Sequence, residues 1–199
     1  NALIALPVTL LPIIDPLSTA PVFVATAGRS QAVVERLARQ VAINSWIVIV
    51  VSMVLGTQVL ALFGISLPVV RMGGGLLLAS TGWQMLHHNE QDDVHVAAAN
   101  QAQELSETEI VRRSFFPITF PLTTGPGVIA TAIALGTQLP RSPMMYLAGV
   151  AVAMVGAAIT AWVLYFTFKH AATLLDRLGE IGTLVMMRLF AFLLLCIGI

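Results

Sequence analysis

Apolar residues run along this chain in long blocks rather than in the one-sided stripes of soluble helices. Six blocks can be read, near 2–28, 41–63, 67–86, 115–138, 144–168 and 183–199, separated by polar connections. Most reach the roughly 20 residues that a helix needs to cross a hydrocarbon core. The pattern therefore predicts an all-α membrane protein with six transmembrane helices. The last block is short because the chain stops at Ile199, and without an initiator Met both ends are expected to be trimmed. Residues 1–14 lack the basic start and small-residue cleavage site of a signal peptide.

Two blocks are interrupted in the same way. The first contains Pro16-Leu17-Ser18-Thr19-Ala20-Pro21 and the fourth Pro121-Leu122-Thr123-Thr124-Gly125-Pro126. Proline lacks an N–H and clashes with the preceding turn, so paired prolines around small and hydroxyl residues predict a broken helix. Residues before proline avoid the helical region, which predicts extended backbone at Asp15, Ala20, Phe120 and Gly125. A break at membrane depth persists only where it is buried in protein or lines a cavity. Paired breaks in corresponding places of two halves point to the binding site of a secondary transporter.

The repetition goes further. Leu67, Arg71 and Leu76-Leu77-Leu78 match Leu184, Arg188 and Leu193-Leu194-Leu195 at one constant offset. The chain thus divides into a first three-helix repeat, 1–86, a polar connection, 87–114, and a second repeat, 115–199. With three crossings in each half, the second must be inverted relative to the first. In the fifth block Gly149, Ala153, Ala157 and Ala161 form a small-residue stripe suited to close helix packing. Gly73-Gly74-Gly75 serves either tight helix contact or close approach of a broken span or substrate to backbone.

Composition agrees with the membrane class: hydrophobic residues make up 57%, charged residues only 10%, and mean hydropathy is +0.89, against about 25% charged in a soluble domain. Arg29, Arg36, Arg39, Arg112, Arg113, Lys169 and Arg177 fall on one side of the predicted membrane and only Arg141 in the opposite connections. The positive-inside rule puts 29–40, 87–114 and 169–182 in the cytoplasm and both termini outside. The zero net charge offers no basic patch for nucleic acid. Cys196 is the single cysteine, which excludes an internal disulfide. The 87–114 connection gathers His87, His88 and His95 with Glu90, Asp92, Asp93, Glu104, Glu107 and Glu109. Their irregular spacing reads as a solvated, partly helical segment rather than a metal site.

The chemistry concentrates at the breaks. Asp15 is the one acid inside an apolar block, and a membrane carboxylate is a functional candidate by default. Asp before Pro is also the sequence of a helix N-cap, and both roles can hold. Its counterpart in the second half is Phe120. Half-helix ends facing each other favour anions at N-termini and cations at C-terminal carbonyls, a combination that suits a zwitterion. A carboxylate would rest on N–H groups around Thr124 to Val128 and an ammonium on Asp15. Ser18, Thr19, Thr123 and Thr124 would add neutral hydrogen bonds, while Ala20, Gly125 and Gly127 leave room for a small ligand. Arg71 and Arg188, near opposite faces, either snorkel to the interface or guard two entrances. Asn44 and Ser45 could add polar contacts.

The runs Ile14-Asp15-Pro16-Leu17 with Pro21-Val22-Phe23, Pro121-Leu122 with Gly125-Pro126-Gly127 and Ile129-Ala130-Thr131, and Arg71-Met72-Gly73-Gly74-Gly75 resemble the MarC family of bacterial and archaeal inner-membrane proteins. The resemblance covers essentially the whole chain. It implies six helices in inverted repeats, and the family, named for multiple antibiotic resistance, includes transporters of glycine and alanine. The expected function is secondary transport of small neutral amino acids, driven by a proton or sodium gradient in the lipid bilayer. A phosphate-binding loop for ATP is absent from the sequence. The alternatives are export of divalent cations, for which one membrane carboxylate supplies few of the oxygen ligands required, and export of drugs. No catalytic Ser/His/Asp set occurs inside the blocks, so an enzyme is not expected, and no cofactor is implied. A homo-oligomer is compatible with the sequence.

Overall fold

Near-continuous apolar sequence gives helices throughout the described residues, which in the computed structural model are 2–28, 30–87, 107–139 and 142–199. Arg29, Arg141 and most of the polar connection, including His88, Glu90, Asp92, Asp93, His95 and Glu104, lie outside them. The helices are α1 (Ala2–Ile14), α2 (Pro16–Ala27), α3 (Gln31–Leu62), α4 (Leu67–His87) and α5 (Glu107–Arg113), followed by a π-helix (Ser114–Thr123). The chain then continues through α6 (Pro126–Gly136), α7 (Pro143–Lys169) and α8 (Ala171–Gly198). Among the described residues Gln31–Leu62, Met144–Lys169 and Ile181–Gly198 are each long and apolar enough to cross a membrane, and the number rises to five where each of two bent helix pairs is counted as one span.

Two expected connections are helical. Residues 31–40 form the first turns of α3, and 171–178 form the start of α8, which breaks its helical geometry at Gly179 (φ 66°). Polar residues at a helix end need no loop, since their side chains reach water while the backbone keeps its internal bonds.

The helices pair mainly across the two halves of the chain. α3 lies along α7 and α4 along α8; α1 packs on α7 and α6, and α2 on α8 and the π-helix; α6 also contacts α3 and α4, and the π-helix contacts α3. The interior is built where these meet, from Leu10, Ile14 and Phe23 of the first pair, Leu37, Val41 and Ile49 of α3, and Leu164 and Phe168 of α7. The Phe23 and Phe168 rings stack at 4.7 Å. Ala153, Ala157 and Ala161 are buried, as a close-packing stripe requires.

The three adjacent glycines point three ways. A Cβ on Gly73 would meet nothing within 4 Å; on Gly74 it would lie 2.6 Å from the Ala130 Cβ of α6; on Gly75 it would lie 2.7 Å from the Gly198 carbonyl of α8. α4 is therefore clamped between two helices at backbone distance, and one of them is the second half of an interrupted helix.

Candidate functional site

Asp15 separates α1 from α2, which are bent by 54° to one another. Its backbone is left-handed (φ 43°, ψ 68°), not extended as a residue before proline was expected to be. Aspartate tolerates this region because its short carboxylate can bond locally. Here that carboxylate accepts from the Ser18 N–H at 3.3 Å and from the Ser18 hydroxyl. Asp15 is thus an N-cap with Pro16 in the first turn, and it is 3% exposed. The Thr19 hydroxyl bonds back to the carbonyls of Asp15 and Pro16. Ala20 also departs from the expectation of extended backbone: it is helical, and Pro21 sits inside α2. Packing overrides the local preference, since Ala20 and Phe23 are fully buried.

The second break is built differently. Phe120 (φ −122°, ψ 127°) and Gly125 (φ −71°, ψ 178°) are extended as expected. The approach to the break has π-helical hydrogen bonds, which reach one residue further back than those of an α-helix, but its backbone is also extended at Phe116 (φ −122°, ψ 123°). The Thr124 N–H donates to the Thr119 carbonyl at 2.7 Å. The hydroxyls of Thr119, Thr123 and Thr124 donate to the carbonyls of Ser114, Ile118 and Thr119 at 2.7, 2.7 and 2.9 Å. All three threonines are fully buried. The following α6 begins at Pro126, bent by 71° from the preceding segment. Its N-cap Gly125 makes no side-chain capping bond. The first-turn N–H groups of Gly127 and Val128, both buried, have no partner inside the helix.

The breaks are thus unequal. At Asp15 the helix N-terminus is closed by a carboxylate; at Gly125 it is left open among buried residues. Every break hydroxyl spends its proton on a neighbouring oxygen and keeps lone pairs to accept with. Gly125 and Gly127 do not simply provide space: a Cβ would lie 2.6 Å from the Pro121 carbonyl at Gly125 and 2.4 Å from Leu78 Cδ2 at Gly127.

The remaining candidates fall around this core. Asn44, half-buried on α3, donates to the Ser114 hydroxyl at 3.3 Å, so α3 is tied to the start of the π-helix. Ser45, fully buried between Val41 and Ile49, has a hydroxyl without a hydrogen-bond partner among the described residues. Gly74 is buried against α6, whereas Arg71 and Arg188 are exposed. Ser114 and Thr119 were not singled out from sequence, and Leu78 only as part of the repeat. The five-residue spacing Ser114, Thr119, Thr124 was the available signal, because it matches the reach of the π-helical bonds.

Several apolar helices, two of them sharply interrupted around buried polar groups, define a multi-pass membrane protein. The description "MarC family integral membrane protein" matches residues 1–199, and the chain belongs to that family. It is 29% identical to the inner membrane protein MarC of Escherichia coli O1:K1 / APEC over 195 residues, covering 96% of this chain and 88% of the relative. The inner membrane protein MarC of Salmonella typhimurium strain LT2 is likewise 29% identical, with the same coverage. No solved structure matches the chain.

Proposed function

We propose that this protein is a secondary transporter of small neutral amino acids of the glycine and alanine class, with six membrane crossings arranged as two inverted repeats and transport driven by a proton or sodium gradient. The observation that carries this reading is the inequality of the two breaks. An open helix N-terminus at Gly127 and Val128 offers N–H groups to a carboxylate. The buried Asp15 carboxylate and the hydroxyl lone pairs of Ser18, Thr19, Thr123 and Thr124 accept from an ammonium. A zwitterion uses both sets; a lone cation or anion uses one.

The helix pairings support a duplication related by a two-fold exchange of the halves. Exchanging the two halves leaves the largest of them unchanged: α3 with α7 and α4 with α8 map onto themselves. The contact of α1 with α7 maps onto that of the π-helix with α3, and α2 with α8 onto α6 with α4. The contact of α1 with α6 likewise exchanges with that of the π-helix and α2. Such pairing suits alternating access by rocking one half on the other. Divalent-cation export is less well served, because the breaks hold a single carboxylate, Asp15, among the described residues. For drug export, the close contacts of Gly74 and Gly127 leave the second break little room for a bulky apolar ligand.

Reconstituted protein in proteoliposomes tests the reading. Labelled glycine or alanine should exchange by counterflow without a gradient and accumulate under an imposed proton or sodium gradient. Counterflow by none of the neutral amino acids, alongside gradient-driven flux of a divalent cation or a drug, would overturn it.

A further inference from the structure

α3 and α7 pair across the two halves, and their hydrogen bonds fix the direction of the pairing. Glu35, near the start of α3, accepts from Lys169 at the end of α7, while Trp46 further along α3 donates from its Nε1 to the Met154 carbonyl at 3.1 Å. The two helices are therefore antiparallel, and the seam between them has two chemically distinct ends. At one end three groups converge. The Glu35 carboxylate accepts from the Lys169 Nζ at 2.7 Å and from the Tyr165 hydroxyl at 3.0 Å. Tyr165 and Lys169 stand one turn apart on α7, so both reach the same carboxylate from one face. The Lys169 Nζ also donates to the Tyr165 hydroxyl at 3.4 Å and lies 5.6 Å from the centre of its ring. The lysine is held along the tyrosine, so less side-chain freedom is lost on pairing with Glu35. Its place in the last turn of α7 adds a favourable interaction with the helix dipole.

Exchanging the halves carries the start of α3 onto the start of α7, so the counterpart of this corner lies where the last turns of α3 approach the first turns of α7. There Leu62, Phe63, Met144 and Met145 are exposed, and Thr57 and Gln58 bond to each other within α3. Among the described residues no side-chain hydrogen bond or ion pair joins the two helices at that end. We propose that Glu35, Tyr165 and Lys169 form a latch that keeps the charged end of the α3–α7 seam closed and biases the protein toward the conformation described here. The three groups part when the halves rock and that end opens. The proposal rests on the transport reading above, since rocking of one half on the other is the motion that the latch governs. The side chains of Lys169 and Glu35 are 29% and 49% exposed, and ion pairs so exposed are weak. That suits a contact broken and remade in every cycle.

The experiment uses full-length protein carrying Cys196→Ser in liposomes, with distances between paired spin labels read by pulsed electron resonance. Ala32→Cys with Ala172→Cys, both at exposed positions, reports on the latched end, and Leu62→Cys with Met144→Cys on the other. Each of Glu35→Gln and Lys169→Met should raise the ratio of long to short distances at the latched end about two- to fivefold. The second pair should shift toward shorter distances in the same variants, because rocking closes one end as it opens the other. Glu35→Lys combined with Lys169→Glu should return both pairs toward the unlatched variants' parent. Tyr165→Phe, which removes one bond only, should move both pairs in the same direction by less, and keeps the test open if a charge variant fails to fold. Unchanged distances in the single variants, or lengthening at the latched end without the reciprocal change at the other, would overturn the latch. So would a charge exchange that restores nothing. The distances are read without substrate, so failure of wild-type protein to exchange amino acids counts against the transport reading alone.

Discussion

Asp15 combines three demands in one residue: a left-handed backbone, a cap on α2, and a buried carboxylate next to the first break. Substitutions separate them. Asparagine tolerates the left-handed region and caps as well as aspartate, so Asp15→Asn should fold with a thermal midpoint close to wild type. If the carboxylate takes the substrate ammonium or a coupling proton, the same variant should lose gradient-driven accumulation in proteoliposomes. Wild-type accumulation by Asp15→Asn would remove the charge from the mechanism and leave the helix ends and hydroxyls as the site. Asp15→Ala loses the cap, at about 1 kcal/mol, and places a residue without local hydrogen bonding at positive φ, at roughly 1–2 kcal/mol more. It should therefore unfold at lower temperature than Asp15→Asn in the same detergent. The order of the two variants, read by thermal unfolding, tests the backbone geometry independently of transport.

Among the elements, the glycine run of α4 makes a sharper test than any single contact. Gly73 faces open space, so Gly73→Ala should stabilise the helix by up to about 1 kcal/mol. Gly75→Ala meets a backbone carbonyl of α8 and should destabilise by roughly 1–3 kcal/mol through overpacking, with Gly74→Ala in the same direction. Gly136→Ala, whose Cβ would lie 2.1 Å from the Met53 carbonyl, should be the most damaging of the four. Thermal unfolding of the set in one detergent ranks them, and equal midpoints for Gly73→Ala and Gly75→Ala would contradict the α4–α8 contact. The sequence made the run conspicuous but not its division of labour, since neighbouring residues on a helix face different partners and only the packing says which. The same limit explains the breaks. Pro16 and Pro126 were legible as helix starts because proline at a first turn loses no hydrogen bond. Pro21 looked equivalent, yet the burial of Ala20 and Phe23 holds it within a helix. The π-helix carries no distinctive apolar period. The hydroxyl-to-carbonyl bonds that accompany it leave only the five-residue spacing of Ser114, Thr119 and Thr124 as a mark in the sequence.

At the scale of the whole molecule, the pairing of helices is dominated by contacts between halves rather than within them. Neither half buries its apolar surface alone, and the two interrupted helices are held by both. If the halves are inverted, each turn between spans has a counterpart on the opposite side of the membrane, and the charge bias decides which side is which. The first turns of α3, the α5 segment before the π-helix, the end of α7 and the start of α8 carry Arg36, Arg39, Arg112, Arg113, Lys169 and Arg177, so the positive-inside rule assigns these ends to the cytoplasm. It assigns the turns around Ser66 and Gln138 to the outside. Cysteine labelling in intact cells, after Cys196→Ser, checks this with an impermeant maleimide. Ser66→Cys and Gln138→Cys should label directly, whereas Thr108→Cys and Ala172→Cys should label only after permeabilisation. The reverse pattern would keep the repeats and turn the protein over. Direct labelling at both Ser66 and Thr108 would put an even number of crossings in the stretch between them, and the inverted arrangement would fall with it.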